Sequence, residues 1–233
     1  MEVAPGSIAV WSDIGCPWAH AAVWRLHDAR RRLGLTGRVR FDHRAFPLEL
    51  FNSRPTPRMT LDSEIPVVGA LAPQAGWQVW QGRLDQYPVT TLLAMEAVRA
   101  AKEQSPEASE ELDRGLRLAL FGESRCISMR HVILEVASEC DSIDLGALAA
   151  ALDDGRARHA IFADWEAAKR GGVEGSPHLF LADGTNAHNP GVQMHWVDGH
   201  GEGFPVIDAD DPSVYDDLLP RATRSSLQSE TIR

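Results

Sequence analysis

A single cysteine lies where a predicted strand ends and a predicted helix begins. The apolar run Ser7–Trp11 is typical of a buried strand, and residues 13–15 read as a turn before Cys16. Pro17 fits the first position of a helix, where its missing N–H costs nothing. The sulfur of Cys16 should therefore lie near the unpaired N–H groups of the first helical turn. That position favours the thiolate and is typical of a reactive cysteine.

A reactive thiolate needs more stabilisation than the helix dipole supplies. A free cysteine with a pKa of about 8.5 is only ~3% ionised at neutral pH, and lowering that pKa by roughly 2.5 requires about 3.4 kcal/mol. The dipole contributes about 1 kcal/mol. His20 is a candidate for the remainder, because it lies four residues after Cys16 on the same helix face. A protonated imidazole there would lower the cysteine pKa and later deliver a proton. The alternative is that His20 only packs in the first turn.

A proline lies at the entrance of another predicted strand, late in the chain. Ser176 and Pro177 end the segment 172–177, and the apolar run 178–182 follows. On its own, Pro177 favours an ordinary trans turn. In a chain that opens strand, Cys-Pro, helix, the pattern instead favours a cis peptide bond that presents backbone to the sulfur of Cys16.

The hydrophobic pattern predicts an α/β fold with a helical block in its middle. An alternating strand at 39–44 follows the first helix, which gives a βαβ opening with a parallel pair. Residues 46–88 contain six prolines and predict a long irregular connection. Helical stripes run from 89 to about 169. A strand at 178–182, an antiparallel partner at 193–197 and a helix at 212–222 complete the predicted order.

Composition excludes several classes of function. The chain has 233 residues, of which 44% are hydrophobic and 24% charged, as in soluble globular domains. No stretch approaches the roughly 18 apolar residues of a membrane span, and a net charge of −10 opposes general binding to nucleic acid or to an anionic bilayer. Three cysteines are too few for a disulfide framework, and Met1–Ser7 does not read as a secretory leader. We therefore expect a cytoplasmic protein with reduced thiols and with no nucleic-acid or membrane partner.

The two proline motifs, in this order, resemble the DsbA-like branch of the thioredoxin-fold proteins. The resemblance covers about residues 7–222 and rests on residues 8–18, 87–90, 120–121 and 172–177. The cytosolic Cys-Pro-Trp-Cys subgroup is similar, and kappa-class glutathione transferases and 2-hydroxychromene-2-carboxylate isomerases are related. The resemblance implies a thioredoxin-like fold with an inserted all-helical domain. Its core would comprise 1–75 and 160–225, its helical insertion 76–159, and a polar tail 226–233.

The sequence departs from that subgroup at one position. Ala19 stands where the subgroup has its second cysteine, so attack by Cys16 on a disulfide would stop at a mixed disulfide until another thiol intervened. We therefore expect a DsbA-like thiol oxidoreductase that acts through a single nucleophilic cysteine on a disulfide or a low-molecular-weight thiol adduct. The predicted catalytic residues are Cys16 and His20, and the predicted substrate-binding residues are Pro17, Trp18, Ser176 and Pro177.

Partners and alternative functions follow from the same motif. No tightly bound cofactor is expected. Glutathione or an equivalent small thiol is the expected exchange partner. The sequence leaves open whether the protein forms a homodimer. One alternative is a glutathione- or other thiol-dependent transferase or isomerase, in which Cys16 binds the cofactor sulfur without redox change. Another is a non-catalytic module that holds a peptide across the Pro177 loop.

Other cysteines, aromatic residues and histidines are candidates for roles at or near the site. Cys126 could resolve a mixed disulfide if the helical block folds over Cys16, whereas Cys140 is expected to be a packing residue. The turn at 188–191 is expected to line the mouth of the site. Three aromatic residues are more often core residues in such a position, yet they could wall an apolar cleft: Trp77, Trp80 and Tyr87. No metal site is predicted, because the spacing of His188, His195 and His200 matches no ligand motif.

Overall fold

A parallel βαβ unit opens the chain. The computed structural model describes residues 2–199 and 201–230. Strand β1 (Ser7–Ser12), helix α1 (Pro17–Arg32) and strand β2 (Arg40–Ala45) follow one another, and β1 pairs with β2 in parallel. Almost all of β1 is buried, as expected for a strand covered on both faces.

The main sheet has the strand order β2-β1-β3-β4. Strand β3 (His178–Leu181) is antiparallel to β1, and β4 (Asn186–His188) is antiparallel to β3. One face of the sheet packs against α1 and the C-terminal helix α9 (Val214–Glu230). Because β1 is central, the turn that follows it lies beside the loop that enters β3.

Helices fill the chain between β2 and β3. They are α2 (Leu48–Phe51), α3 (Arg58–Leu71), α4 (Leu92–Gln104), α5 (Pro106–Phe121), α6 (Arg130–Ser138), α7 (Leu145–Asp154) and α8 (Arg158–Gly171). Side-chain caps begin two of them, since Ser105 accepts from the Ala108 N–H and Asp144 from the Ala147 N–H. Helices α4 to α7 share one large apolar core around Leu112, Leu116 and Ile133. The structure therefore has the predicted thioredoxin-like α/β fold, with a helical block between the two halves of the sheet.

The connection predicted to be irregular contains a regular helix, α3. Its residues Leu61, Ile65 and Val68 form a buried stripe at helical spacing. Pro57 precedes the first helical residue, and Pro66 lies inside the helix on its exposed side. The prediction was wrong because the many prolines of this region outweighed a short but correct apolar stripe.

The late strands also differ from the prediction. The segment 193–197 does not pair with β3, because β4 takes that place. Instead, β5 (Val192–Trp196) forms a separate hairpin with β6 (Pro205–Asp210). The buried guanidinium of Arg25 on α1 binds both carboxylate oxygens of Asp210 and fixes the hairpin to the core.

The end of the chain is helical as far as it is described. Residues 226–230 of the predicted polar tail belong to α9, while 231–233 lie outside the described residues, as does His200. None of the helices in the described ranges has the length and apolar character needed to cross a membrane.

Candidate active site

Cys16 is the last residue before α1, and its sulfur faces the loop that enters β3. Only 3% of the residue is exposed. Its Sγ donates a hydrogen bond to the carbonyl oxygen of Ser176 over 3.1 Å. The peptide bond between Ser176 and Pro177 is cis. The structure thus brings together the two motifs that the sequence singled out.

Asp13 organises the turn that carries Cys16. Its two carboxylate oxygens accept hydrogen bonds from the N–H groups of Gly15 (2.7 Å) and Leu48 (2.8 Å). Its own N–H donates to Ser176 Oγ over 2.9 Å. Burial raises the pKa of this carboxyl against the lowering effect of those N–H groups. Asp13 therefore joins the turn before α1, the start of α2 and the loop before β3.

The sequence did not identify Asp13 as a site residue. A signal was present, because an aspartate two residues before a glycine favours an Asx turn.

The resting thiol is not the thiolate that the sequence predicts. Burial raises the pKa of Cys16 to about 12, and the charge of Glu64 acts in the same direction. A hydrogen bond with the Ser176 side chain, separate from the one to its carbonyl oxygen, and one with the Ala19 N–H lower the pKa but do not compensate. Because desolvation outweighs the field of the helix terminus, Cys16 is a neutral thiol at pH 7.

His20 packs against aromatic rings of the helical block. Its ring packs on Phe121 and Trp77, with centroids 5.0 and 4.5 Å away, and Nε2 lies 3.3 Å from the carbonyl oxygen of Gly76. Burial lowers the pKa of His20 to about 4, and the charge of Arg117 lowers it further, so the ring is neutral at pH 7. This geometry favours the alternative given by the sequence, in which His20 packs in the first turn of α1, over a protonated imidazole that acts on Cys16.

A cleft of about 310 Å³ opens over Cys16. Its walls come from the start of α1, from α2 and the loop after it, from α3, and from the loop and hairpin that flank β3 and β4. Three of the predicted substrate-binding residues line it: Pro17, Trp18 and Ser176. Pro177 follows Ser176 without lining the cleft, whereas His188 and Asn189 of the predicted turn do line it.

The three aromatic residues weighed in the sequence take the core role and not the cleft role. Trp77 packs against His20, and Trp80 packs edge-on against Tyr87, so these three aromatic residues belong to the helical core. The indoles that line the Cys16 cleft are Trp18 and Trp196. The start of α1 and the hairpin therefore supply the indoles of the cleft.

Glu64 is the second site residue that the sequence missed. It lies on α3, lines the cleft and is only 7% exposed. Its Oε1 accepts a hydrogen bond from Trp18 Nε1 over 2.8 Å. Burial raises the pKa of Glu64 to about 7. A carboxylate within the apolar stripe of α3 was the available signal, and it was hidden because α3 was not predicted.

The cleft holds one thiol within the described part of the chain. All three cysteines are free, and neither Cys126 nor Cys140 lines the cleft. Cys140 borders another cavity together with His20, and its Sγ donates to the carbonyl oxygen of Val136. Nothing in the described geometry therefore offers Cys16 an internal resolving partner.

The late histidines form no metal centre in the described residues. His195 pairs with Asp208 across the hairpin at 2.9 Å, whereas His188 lies at the Cys16 cleft. Across residues 2–199 and 201–230, no group of three or more histidine, cysteine or acidic side chains is arranged to hold an ion.

Several solved structures share this fold. A "probable DsbA oxidoreductase" from Streptomyces coelicolor superposes with a TM-score of 0.65 at 20% identity, covering 93% of this chain and 89% of the other. The cytosolic disulfide reductase DsbM from Pseudomonas aeruginosa superposes with a TM-score of 0.60 at 16% identity, covering 97% and 100%. A structure of that reductase with GSH matches equally well.

A related fold carries a different activity. The 2-hydroxychromene-2-carboxylate isomerase superposes with a TM-score of 0.50 at 14% identity, covering 97% of this chain and 99% of the other. No curated protein is similar enough to match. The family described as the DSBA-like thioredoxin domain matches residues 7–199, and the chain belongs to that family.

Proposed function

We propose that this chain is a DsbA-like thiol–disulfide oxidoreductase that works through Cys16 alone. One observation carries the proposal: the Cys16 sulfur lies 3.1 Å from the Ser176 carbonyl oxygen in an open cleft. A substrate chain laid along the backbone at 175–176 would bring its own sulfur beside Sγ. Family membership supports thiol chemistry at this position.

The proposed step begins with a neutral thiol. Cys16 loses its proton, for which the Glu64 carboxylate in the same cleft is the proposed acceptor, directly or through a water molecule, and attacks one sulfur of the substrate disulfide. A new S–S bond forms to Cys16, the substrate S–S bond breaks, and the departing thiolate takes the proton back. Glu64 suits this role because a pKa of about 7 lets it both accept and return a proton near neutral pH.

An external thiol then reopens the mixed disulfide. Ala19 occupies the position of a resolving cysteine, and Cys126 and Cys140 lie away from the cleft. Glutathione or an equivalent small thiol would attack the cysteine adduct and regenerate Cys16. The structure of the Pseudomonas reductase with GSH supports a partner of this class. Such a cycle requires a reducing compartment, so we place the activity in the cytoplasm.

Replacement of the sulfur tests the proposal. In the Cys16→Ser protein we expect thiol-dependent reduction of 2-hydroxyethyl disulfide to fall roughly 100-fold or more, because serine forms no disulfide. The Cys126→Ser/Cys140→Ser protein is the matched control and should keep its rate. An unchanged rate in Cys16→Ser would exclude Cys16 as the nucleophile.

The neutral state of Cys16 also favours a second candidate function. A protonated thiol can donate a hydrogen bond to the sulfur of a bound thiol cofactor, as a transferase or isomerase would require. A serine hydroxyl can donate the same bond, so conjugation or isomerisation would survive in Cys16→Ser. A protein with neither activity, and with Cys16 no faster than a free thiol, would instead be a binding module for peptides.

A further inference from the structure

We infer that the Cys16 cleft selects neutral or cationic apolar disulfides and discriminates against anionic ones such as oxidised glutathione. This inference deepens the proposed function and rests on it. It starts from the charges on the cleft wall. Among the described residues that line the cleft, two are glutamates, Glu64 and Glu174, and none is a lysine or an arginine.

Neither glutamate is neutralised by a permanent cation. Glu64 binds the neutral indole of Trp18, and no ion pair involves it within the described ranges. Glu174 is 68% exposed, and its only charge partner there is His188, at 3.9 Å. Burial lowers the pKa of His188, which keeps that ring mainly neutral at pH 7. Because the pKa of Glu64 is about 7, this carboxyl is charged in about half of the molecules at pH 7 and in most of them at pH 8. The cleft therefore presents uncompensated negative charge from Glu174, and from Glu64 as well at slightly alkaline pH.

Three features near the cleft are the first candidates for attracting an anion. The N-terminus of α1 favours negative charge, but Pro17 has no N–H and the Ala19 N–H is directed at the Cys16 sulfur. Arg58 is paired with Asp62. Arg54 lies in the loop between two lining residues but does not itself line the cleft.

The remaining walls suit an apolar or cationic group. Phe51, Leu48 and Met194 line the cleft together with the indoles of Trp18 and Trp196. Aromatic faces attract cations and apolar surface, whereas carboxylates are normally bound by arginine forks or by clustered N–H groups. Oxidised glutathione has more carboxylates than ammonium groups, and no arginine or lysine lines the described cleft. Reduced glutathione, which reopens the adduct in the proposed cycle, carries half of that net charge and is disfavoured less.

Two reagents of opposite charge test the inference directly. Methanethiosulfonates transfer an RS group to a cysteine thiolate, forming Cys–S–S–R and releasing methanesulfinate. The trimethylammonium-ethyl and sulfonato-ethyl reagents would be compared on the Cys126→Ser/Cys140→Ser protein at pH 8, where Glu64 is mainly charged, by mass spectrometry. The ratio of their rate constants would be divided by the same ratio for free 2-mercaptoethanol, which removes intrinsic reagent reactivity.

We expect the cation to be favoured at least about fivefold after this correction, because the unpaired carboxylates attract it at short range. Adding Glu64→Gln and Glu174→Gln should bring the corrected ratio close to one. Any effect of Glu64 on the reactivity of Cys16 itself cancels in this ratio. Glu166→Gln is the matched control, because Glu166 is an exposed glutamate on α8 that does not line the cleft. A corrected ratio of one or less, or a ratio that the two glutamine substitutions leave unchanged, overturns the inference.

The rates at which the protein reduces different disulfides distinguish failure of this inference from failure of the proposed function. A protein that reduces oxidised glutathione faster than 2-hydroxyethyl disulfide would retain the proposed function and refute the charge selectivity. If Arg54→Gln abolished that preference, Arg54 would be identified as the anion-binding residue. A corrected ratio above five without any disulfide turnover would support the selective cleft and refute the oxidoreductase.

Discussion

Burial determines the state of Cys16 more strongly than its place at a helix terminus. The terminus supplies about 1 kcal/mol to a thiolate. The sulfur is nevertheless almost completely buried, donates to a carbonyl oxygen and lies near the carboxyl of Glu64. Each of these three features favours the protonated form. Reactivity at this site therefore depends on moving the thiol proton when the substrate is in place.

Alkylation kinetics follow from that protonation state. In the Cys126→Ser/Cys140→Ser protein, the rate of Cys16 alkylation by iodoacetamide should rise from pH 6 to pH 9 without levelling off. The reason is that a pKa raised to about 12 leaves the thiolate a minor species throughout this range. Quenched-flow mass spectrometry measures the profile. A plateau that begins near pH 7 would show that the thiolate already exists in the resting protein.

Gly15 is required because the turn before Cys16 touches the helical block. A Cβ at this position would lie 2.9 Å from Thr91 Cγ2. We expect Gly15→Ala to destabilise the protein by about 1–3 kcal/mol in urea unfolding, because the turn or Thr91 must shift. Adding Thr91→Ser removes the clashing methyl group and should restore most of the loss.

A glycine in an open environment is the matched control for Gly15. Gly146 lies in the first turn of α7, where the nearest atom to an added methyl group would be Asp144 Oδ1 at 3.4 Å. Gly146→Ala should be neutral or stabilising, since alanine is the better helix former. Equal losses at the two glycines would contradict the steric account.

Local sequence signals predicted the partners of the site better than its electrostatics. The position of Cys16 before a proline and of Ser176 before Pro177 was enough to predict that they meet. Burial depends on the complete fold, so the neutral thiol and the packed His20 could not be read from spacing. Glu64 was not identified as a site residue because its position in the cleft depends on α3. That helix was not predicted, since prolines lie before it and inside it.

At the scale of elements, helix α5 fixes the end of β1 through one buried arginine. Arg117 is fully buried, with 0% of its surface exposed. Its guanidinium donates to the carbonyl oxygen of Asp13 (3.0 Å) and to Ser12 Oγ (2.8 Å), and it forms an ion pair with Asp113. The arginine therefore satisfies the backbone that leads into the Cys16 turn and links the helical block to the sheet.

Removal of this guanidinium should be costly. Arg117→Met leaves Asp113 buried without its ion-pair partner, and we expect the free energy of unfolding to fall by about 3–5 kcal/mol. Arg31→Met is the control, because Arg31 is 76% exposed in its ion pair with Asp28 and should cost less than about 1 kcal/mol. Similar losses for the two variants in urea unfolding would refute the structural role of Arg117.

For the whole molecule, buried titratable groups act on stability in opposite directions. Burial lowers the pKa values of His20 and His43. Below about pH 6.5 these histidines bind protons in the unfolded chain but not in the folded one, so acid destabilises the fold. Burial raises the pKa values of Glu64 and Asp13, which favours the folded chain in acid. The pH dependence of stability is the sum of these contributions, and single substitutions separate them.

His20→Phe isolates one contribution. The folded pKa of about 4 lies below the unfolded value of about 6.5, so stability from the neutral ring is lost as the pH falls between them. Between pH 7 and pH 5 the wild-type protein should lose about 2 kcal/mol more than His20→Phe. Urea unfolding at both pH values measures the difference. His159→Gln, which changes an exposed ring, is the control and should follow the wild type.

The contact between Cys16 and Ser176 spans 160 positions of the chain. Nearly the whole polypeptide must be synthesised before the loop that receives the sulfur leaves the ribosome. A nascent or prematurely terminated chain would therefore expose an ordinary cysteine, without the cleft that shields it and without the carbonyl oxygen that holds it. Sulfur chemistry specific to this protein begins only when translation has passed the helical block.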